Sequence, residues 1–66
     1  MNLVLNGNPH DVPEPLTVRG LLDHLGFGEK PVIVELNQRA LLPREFEDSV
    51  LHEGDQVEIV QITAGG

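Results

Sequence analysis

The stretch "LTVRGLLDHLGFG", residues 16–28, decides the fold. Thr17 is a suitable N-cap, because its side-chain oxygen can accept an orphan N–H of the first helical turn. Leu16 before it is placed to pack on Leu21 as a hydrophobic staple. Val18, Leu21, Leu22 and Leu25 then recur at i, i+3, i+4 and i+7, one apolar stripe of a short amphipathic helix. Gly26 stands where the chain must leave the helix with positive φ. Gly20 occupies the position at which a capping-box Glu would be ideal, and it lowers helix propensity. A single short helix cannot make a bundle, so it must cover a sheet.

Strand signals lie on both sides of it. Upstream, "MNLVL" (1–5) runs into Asn6-Gly7, a strong two-residue hairpin signal. The return arm is expected at His10 to Val12, limited by Pro9, Pro13 and Pro15, since proline cannot donate to a ladder. Downstream, "PVIVEL" (31–36) is nearly all apolar, as in a central strand buried on both faces. Asn37-Gln38 is a turn candidate, and "RALL" is a short returning strand closed by Pro43. "REFEDSV" is an irregular or single-turn segment anchored by Phe46, and "HEGD" is a turn. "QVEIVQI" (56–62) alternates as a final strand, with Val57 and Ile59 on one side and Glu58, Val60 and Ile62 on the other. The order hairpin, helix, strand, short strand, loop, strand predicts a two-layer α+β sandwich. A last strand free to pair in the middle suggests the β-grasp arrangement. No repeat, low-complexity segment or linker divides the chain, so one domain over residues 1–66 is expected.

Composition narrows the function. The 66 residues include no Cys, Tyr or Trp and two Phe, so the core is built from Leu, Val and Ile. Eleven acidic residues oppose four basic ones, for a formal charge of −7. That sign disfavours nucleic acid and anionic membranes, and favours a partner with a basic surface. With no signal segment and no membrane-length apolar run, a cytoplasmic protein is expected. His10, His24 and His52 lack metal-ligand spacing, and no cysteine joins them. Ser49 lies in no nucleophile motif, Gly26 and Gly28 form no phosphate loop, and Glu45, Glu47 and Asp48 read as a solvated loop. The chain is expected to bind no cofactor or metal and to be no enzyme by itself.

The chemistry is at the end, "QITAGG" (61–66). Two glycines without Cβ atoms let a chain enter a narrow channel. The α-carboxylate of Gly66 is then the reactive group, carried on Thr63, Ala64 and Gly65. A carboxylate becomes an acyl donor when its oxygen is made a leaving group, and adenylation by a partner enzyme with ATP achieves this.

"TVRGLLDHL", "VIVELNQRALLPREF" and "LHEGDQVEIVQITAGG" together resemble the ThiS-type sulfur carriers of thiamine biosynthesis, ubiquitin-like β-grasp proteins, along the whole chain. Gly20 and the proline-rich "PHDVPEP" are mild departures. The resemblance implies that an E1-like adenylating enzyme activates Gly66 with ATP and magnesium. It also implies a sulfur donor fed by a cysteine desulfurase, which converts the adenylate to a thiocarboxylate, and thiazole synthase as recipient of the sulfur. Docking falls to the folded body. Val60 and Ile62 flank the tail on the face opposite Val57 and Ile59, and Arg39 and Arg44 can pair with acidic partner groups.

Three other readings compete. The small subunit of molybdopterin synthase shares fold and tail, but tends to be longer with bulkier residues before the glycines. A ubiquitin-like modifier would form isopeptide bonds with target lysines. The single lysine here, Lys30, argues against self-chains alone. A plain interaction module would make the glycines incidental.

Overall fold

A computed structural model describes residues 1–63. Five strands form one mixed sheet: β1 (Asn2–Leu5), β2 (Asn8–Asp11), β3 (Val32–Leu36), β4 (Arg39–Leu41) and β5 (Gln56–Gln61). The helix α1 (Val18–His24) covers one face. The strand order is β2-β1-β5-β3-β4, so the last strand is the central one. It runs parallel to β1 and antiparallel to β3.

The helix forms for the reasons its sequence gives. The four N–H groups that open it are all satisfied: Val18 donates to the Ser49 carbonyl, Arg19 to that of Phe46, Gly20 to the Thr17 hydroxyl and Leu21 to the Thr17 carbonyl. The loop after β4 therefore completes the helix start, with Phe46 buried beneath it. At the other end Phe27 N–H bonds to Leu22 O and Gly26 N–H to Asp23 O, a Schellman motif with Gly26 at φ +89°. Gly20 acquires a reason as well. A Cβ there would lie 2.9 Å from Leu16 Cδ1, so the glycine lets Leu16 lie across the first turn.

Val18, Leu21 and Leu22 are fully buried against Leu3, Val34, Val57 and Ile59 of the sheet. Leu25 and Leu16 pack half-buried at the margin. Because one helix covers one face, β3 is not buried on both sides as its apolar run suggests. Val34 is fully buried, while Ile33 is 51% exposed and Glu35 faces solvent. The first hairpin also differs from expectation. Its return strand begins at Asn8 and includes Pro9, which pairs with Val4. In a two-residue hairpin that pair is a non-hydrogen-bonded one, and Val4 N–H instead donates to Asp55 O. Pro9 thus directs its missing donor to the open edge, where nothing is lost.

Both hairpin turns place an Asn at positive φ, Asn6 at 49° and Asn37 at 51°. Asn tolerates this region better than other side chains. Each uses its amide to hold β5. Asn6 accepts from Ile59 N–H at 2.8 Å and donates to Ile59 O at 3.3 Å, continuing the β1 ladder after β1 has turned away. Asn37 accepts from Gln56 N–H at 2.9 Å and donates to the Asp55 carboxylate at 3.1 Å. Asp55 in turn accepts His52 N–H at 2.8 Å and closes the preceding turn.

Replacing Asn6 by Ala removes both bonds to Ile59 and places a Cβ at positive φ without a local partner. Urea unfolding is expected to show a loss of about 2 kcal/mol. Asn6→Gly, which relieves the backbone term alone, should recover about 1 kcal/mol of it.

Candidate functional site

The site is the root of the C-terminal tail and the sheet face beside it. Ladder bonds fix which way each residue of β5 presents its backbone. Asn37 N–H to Gln56 O and Ile62 N–H to Pro31 O mark the hydrogen-bonded pairs with the β3 side. Gln56, Glu58, Val60 and Ile62 therefore bond toward β3, and Val57, Ile59 and Gln61 toward β1. Side chains alternate between the two faces with the same period of two. Val57 and Ile59 enter the core, while Glu58 and Val60 stand on the open face.

Val60 lies directly opposite Ile33, and the two are 58% and 51% exposed. Ile62, just past β5, is 48% exposed. Val60 and Ile33 thus stand together on the open face where the tail departs, with Ile62 exposed at the tail root. Leu42 and Val50 are the other exposed large apolar side chains among the described residues. Ile33 was missed in the sequence because "VIV" hides the alternation of β3. Its pairing with Val60 is the signal that reveals it.

One step further from the tail, Glu58 stands directly opposite Glu35. Like charges across a ladder oppose folding. Both are exposed, and neither ion-pairs with a described residue. The open face is therefore apolar at the tail and anionic behind it.

On the helix side of the tail root, a groove of about 280 Å³ is lined by Arg19, Lys30, Pro31, Phe46 and Ile62, among others. Arg19 is held in place by a hydrogen bond to Gly28 O, by Asp23 at 3.8 Å and by the Phe46 ring at 6.0 Å. Arg44 is exposed and follows Pro43, another groove residue. Arg39 is elsewhere. It pairs with Leu36 opposite Val57, four residues along β5 from Gln61, or ~13 Å. Its guanidinium sits 3.5 Å from the Glu45 carboxylate. Glu45 also accepts Leu42 N–H at 2.8 Å, so it caps the single 3₁₀ turn Pro43–Glu45.

Thr63 is exposed and outside any strand. The expectations for Ala64, Gly65 and Gly66, including modification at Gly66, lie outside the described residues. Among the described residues no three His, Asp or Glu side chains converge as a metal site would require.

A helix packed on one face of a mixed sheet, with the C-terminal strand central and running out into Gly-Gly, defines a ubiquitin-like β-grasp protein. The chain belongs to the ThiS family, whose model matches residues 3–66. It is 40% identical over 62 residues to the sulfur carrier protein ThiS of Thermus thermophilus, covering 94% of this chain and 95% of that one. The crystal structure of the thiamine biosynthesis protein ThiS from Geobacter metallireducens superposes with a TM-score of 0.85 at 38% identity, over the full length of both chains. A thiazole synthase of Magnetococcus marinus is 39% identical over 66 residues, all of this chain and 20% of that protein.

The Glu35–Glu58 opposition yields a quantitative expectation. Glu58→Gln should raise stability by about 0.2–1 kcal/mol in low salt, measured by urea unfolding. In a double-mutant cycle the gain should not recur in the Glu35→Gln background, and 1 M NaCl should erase it.

Proposed function

We propose that this chain is a sulfur carrier whose Gly66 carboxylate is activated by an adenylating enzyme and which supplies sulfur to a thiazole synthase in thiamine biosynthesis. One observation carries the choice of recipient. The whole of this chain is similar to a stretch forming one fifth of a protein named thiazole synthase. Two functions joined in one polypeptide meet at high effective concentration, the arrangement expected of a donor and its acceptor.

The chemistry follows from the tail. The carboxylate oxygen attacks the α-phosphorus of ATP and pyrophosphate leaves, with magnesium held by the enzyme to neutralise the phosphates. A sulfur nucleophile, supplied through a cysteine desulfurase, then attacks the acyl carbon and AMP leaves. That nucleophile is a persulfide, so the adduct is an acyl disulfide. A thiol then attacks its enzyme-side sulfur, a disulfide forms, and the S–S bond breaks to leave the thiocarboxylate, which keeps sulfide covalent and nucleophilic until delivery. The folded body contributes recognition. Val60 and Ile33 form the apolar contact on the open face, Ile62 adds to it at the tail root, Glu35 and Glu58 meet basic groups behind it, and Arg44 follows the groove residue Pro43. Gly65, Ala64 and Thr63 form the thin section that enters the enzyme. Work that depends on ATP and reduced sulfur belongs in the cytoplasm. No helix among the described residues is long and apolar enough to cross a membrane.

Intact-mass measurement tests the reading. After incubation with ATP, magnesium, cysteine and the host's adenylating and desulfurase enzymes, a fraction should gain the mass of one oxygen exchanged for one sulfur. The gain should map to the C-terminal peptide and vanish when Gly66 is deleted. A protein that stays the free acid under these conditions overturns the proposal. Val60→Thr, which keeps the β-branched shape, should unfold near the same urea concentration as the parent, yet load sulfur several-fold less efficiently through loss of a central apolar contact.

A further inference from the structure

The β1-side edge of β5 is satisfied up to Ile59 and then stops. Val4 and Asn6 donate to Asp55 O and Val57 O, and the Asn6 side chain takes both backbone groups of Ile59. The first hairpin turns back at Asn6-Gly7, short of Gln61. By the ladder alternation, the N–H and C=O of Gln61 point to that same side. No described residue bonds to them there. Gln61, Ile62 and Thr63 are exposed. An extended strand end with an unpaired donor and acceptor can accept another strand.

From this open edge we infer that β5 is completed in the complex by an extended segment of the adenylating enzyme, which pairs with the backbone of Gln61 and continues the sheet where β1 leaves off. The inference rests on the carrier reading. The charge distribution selects the occupant. A second copy would bring another chain of net charge −7 against an edge flanked by Glu58, whereas a partner segment bearing Lys or Arg is attracted to it. Main-chain pairing at this point holds the root of the tail extended and aligned along β5. Side-chain identity at Gln61 matters little to such a contact, and the backbone N–H matters a great deal.

Proline separates the two. Gln61 N–H has no partner among the described residues and the segment is already extended, so Gln61→Pro removes the donor at a site of the kind Pro9 occupies. The KM for the carrier is measured in ATP-dependent pyrophosphate release by the adenylating enzyme, for wild type, Gln61→Ala and Gln61→Pro. Gln61→Ala should stay within about two-fold of wild type, and Gln61→Pro should raise KM about ten-fold or more, through the lost bond and the ring in the path of the strand. Both variants should melt with the parent. If Gln61→Pro melts lower, a chemically synthesised chain with an ester in place of the Gln61 amide removes the same donor without the ring, and should still raise KM about three-fold or more. Equal KM values for proline, ester and wild type overturn the edge pairing while leaving the sulfur carrier intact. So does an equal loss in Gln61→Ala, which would assign the contact to the side chain. Concentration-dependent dimerisation abolished by Gln61→Pro would give the edge to a second copy and overturn the inference as well. A wild-type chain that releases no pyrophosphate fails at the earlier step, and removes the carrier reading itself.

Discussion

The constraint on which this structure depends is that its last strand must be its central one. β5 supplies Val57 and Ile59 to the core and carries β1 on one side and β3 on the other. Without it the two hairpins share no ladder and the helix has two unjoined surfaces to cover. The pairing of Leu5 with Val57 joins segments far apart in sequence, so loop-closure entropy is spent before the core rewards it. Asn6 and Asn37 reinforce that step. Each sits in a tight turn that forms locally, and each then offers its amide to the backbone of the arriving strand. Local turn chemistry and long-range sheet assembly are thereby carried by the same two side chains.

The same placement organises the functional end. A central strand is the most constrained element of a small sheet, so the chain leaves the body from a fixed point and in a fixed direction. Around that point Val60 and Ile33 are held exposed by a ladder that cannot let them turn inward without inverting Val57 and Ile59. Glu35 and Glu58 are kept opposite one another despite their charge. A surface that tolerates such opposition retains a position at which a basic partner gains more than water offers.

Much of this was legible in the residues, where the determinants are local. Thr17, the 3.6-residue stripe and Gly26 define the helix, and both hairpin turns show as Asn followed by Gly or Gln. The alternation of β5 correctly separated Val57 and Ile59 from Val60. What stayed hidden depends on contacts distant in sequence. The apolar run of β3 looks the same whether one face or two is covered, and only the count of helices settles it. Pro9 set the expected start of the return strand at His10, because the tolerance of a proline depends on which side of the hairpin its nitrogen faces. The grip of Asn6 on Ile59 spans most of the chain, and no motif announces it. Ile33 and the Glu35–Glu58 pair follow from register, which the sequence of one strand does not contain. At the tail, the expectation for Gly65 and Gly66 rests on residue type alone and lies outside the described residues.

The central position of β5 also decides how the molecule bears load. A partner that draws on the C-terminus pulls along the axis of β5, while the bonds holding that strand to β1 and β3 run across it. Such a pull shears many bonds together, where peeling an edge strand would break them one after another. The chain beyond β5 is therefore attached to a strand paired on both sides. A pull along β5 loads the whole domain as a unit and does not unravel the sheet strand by strand.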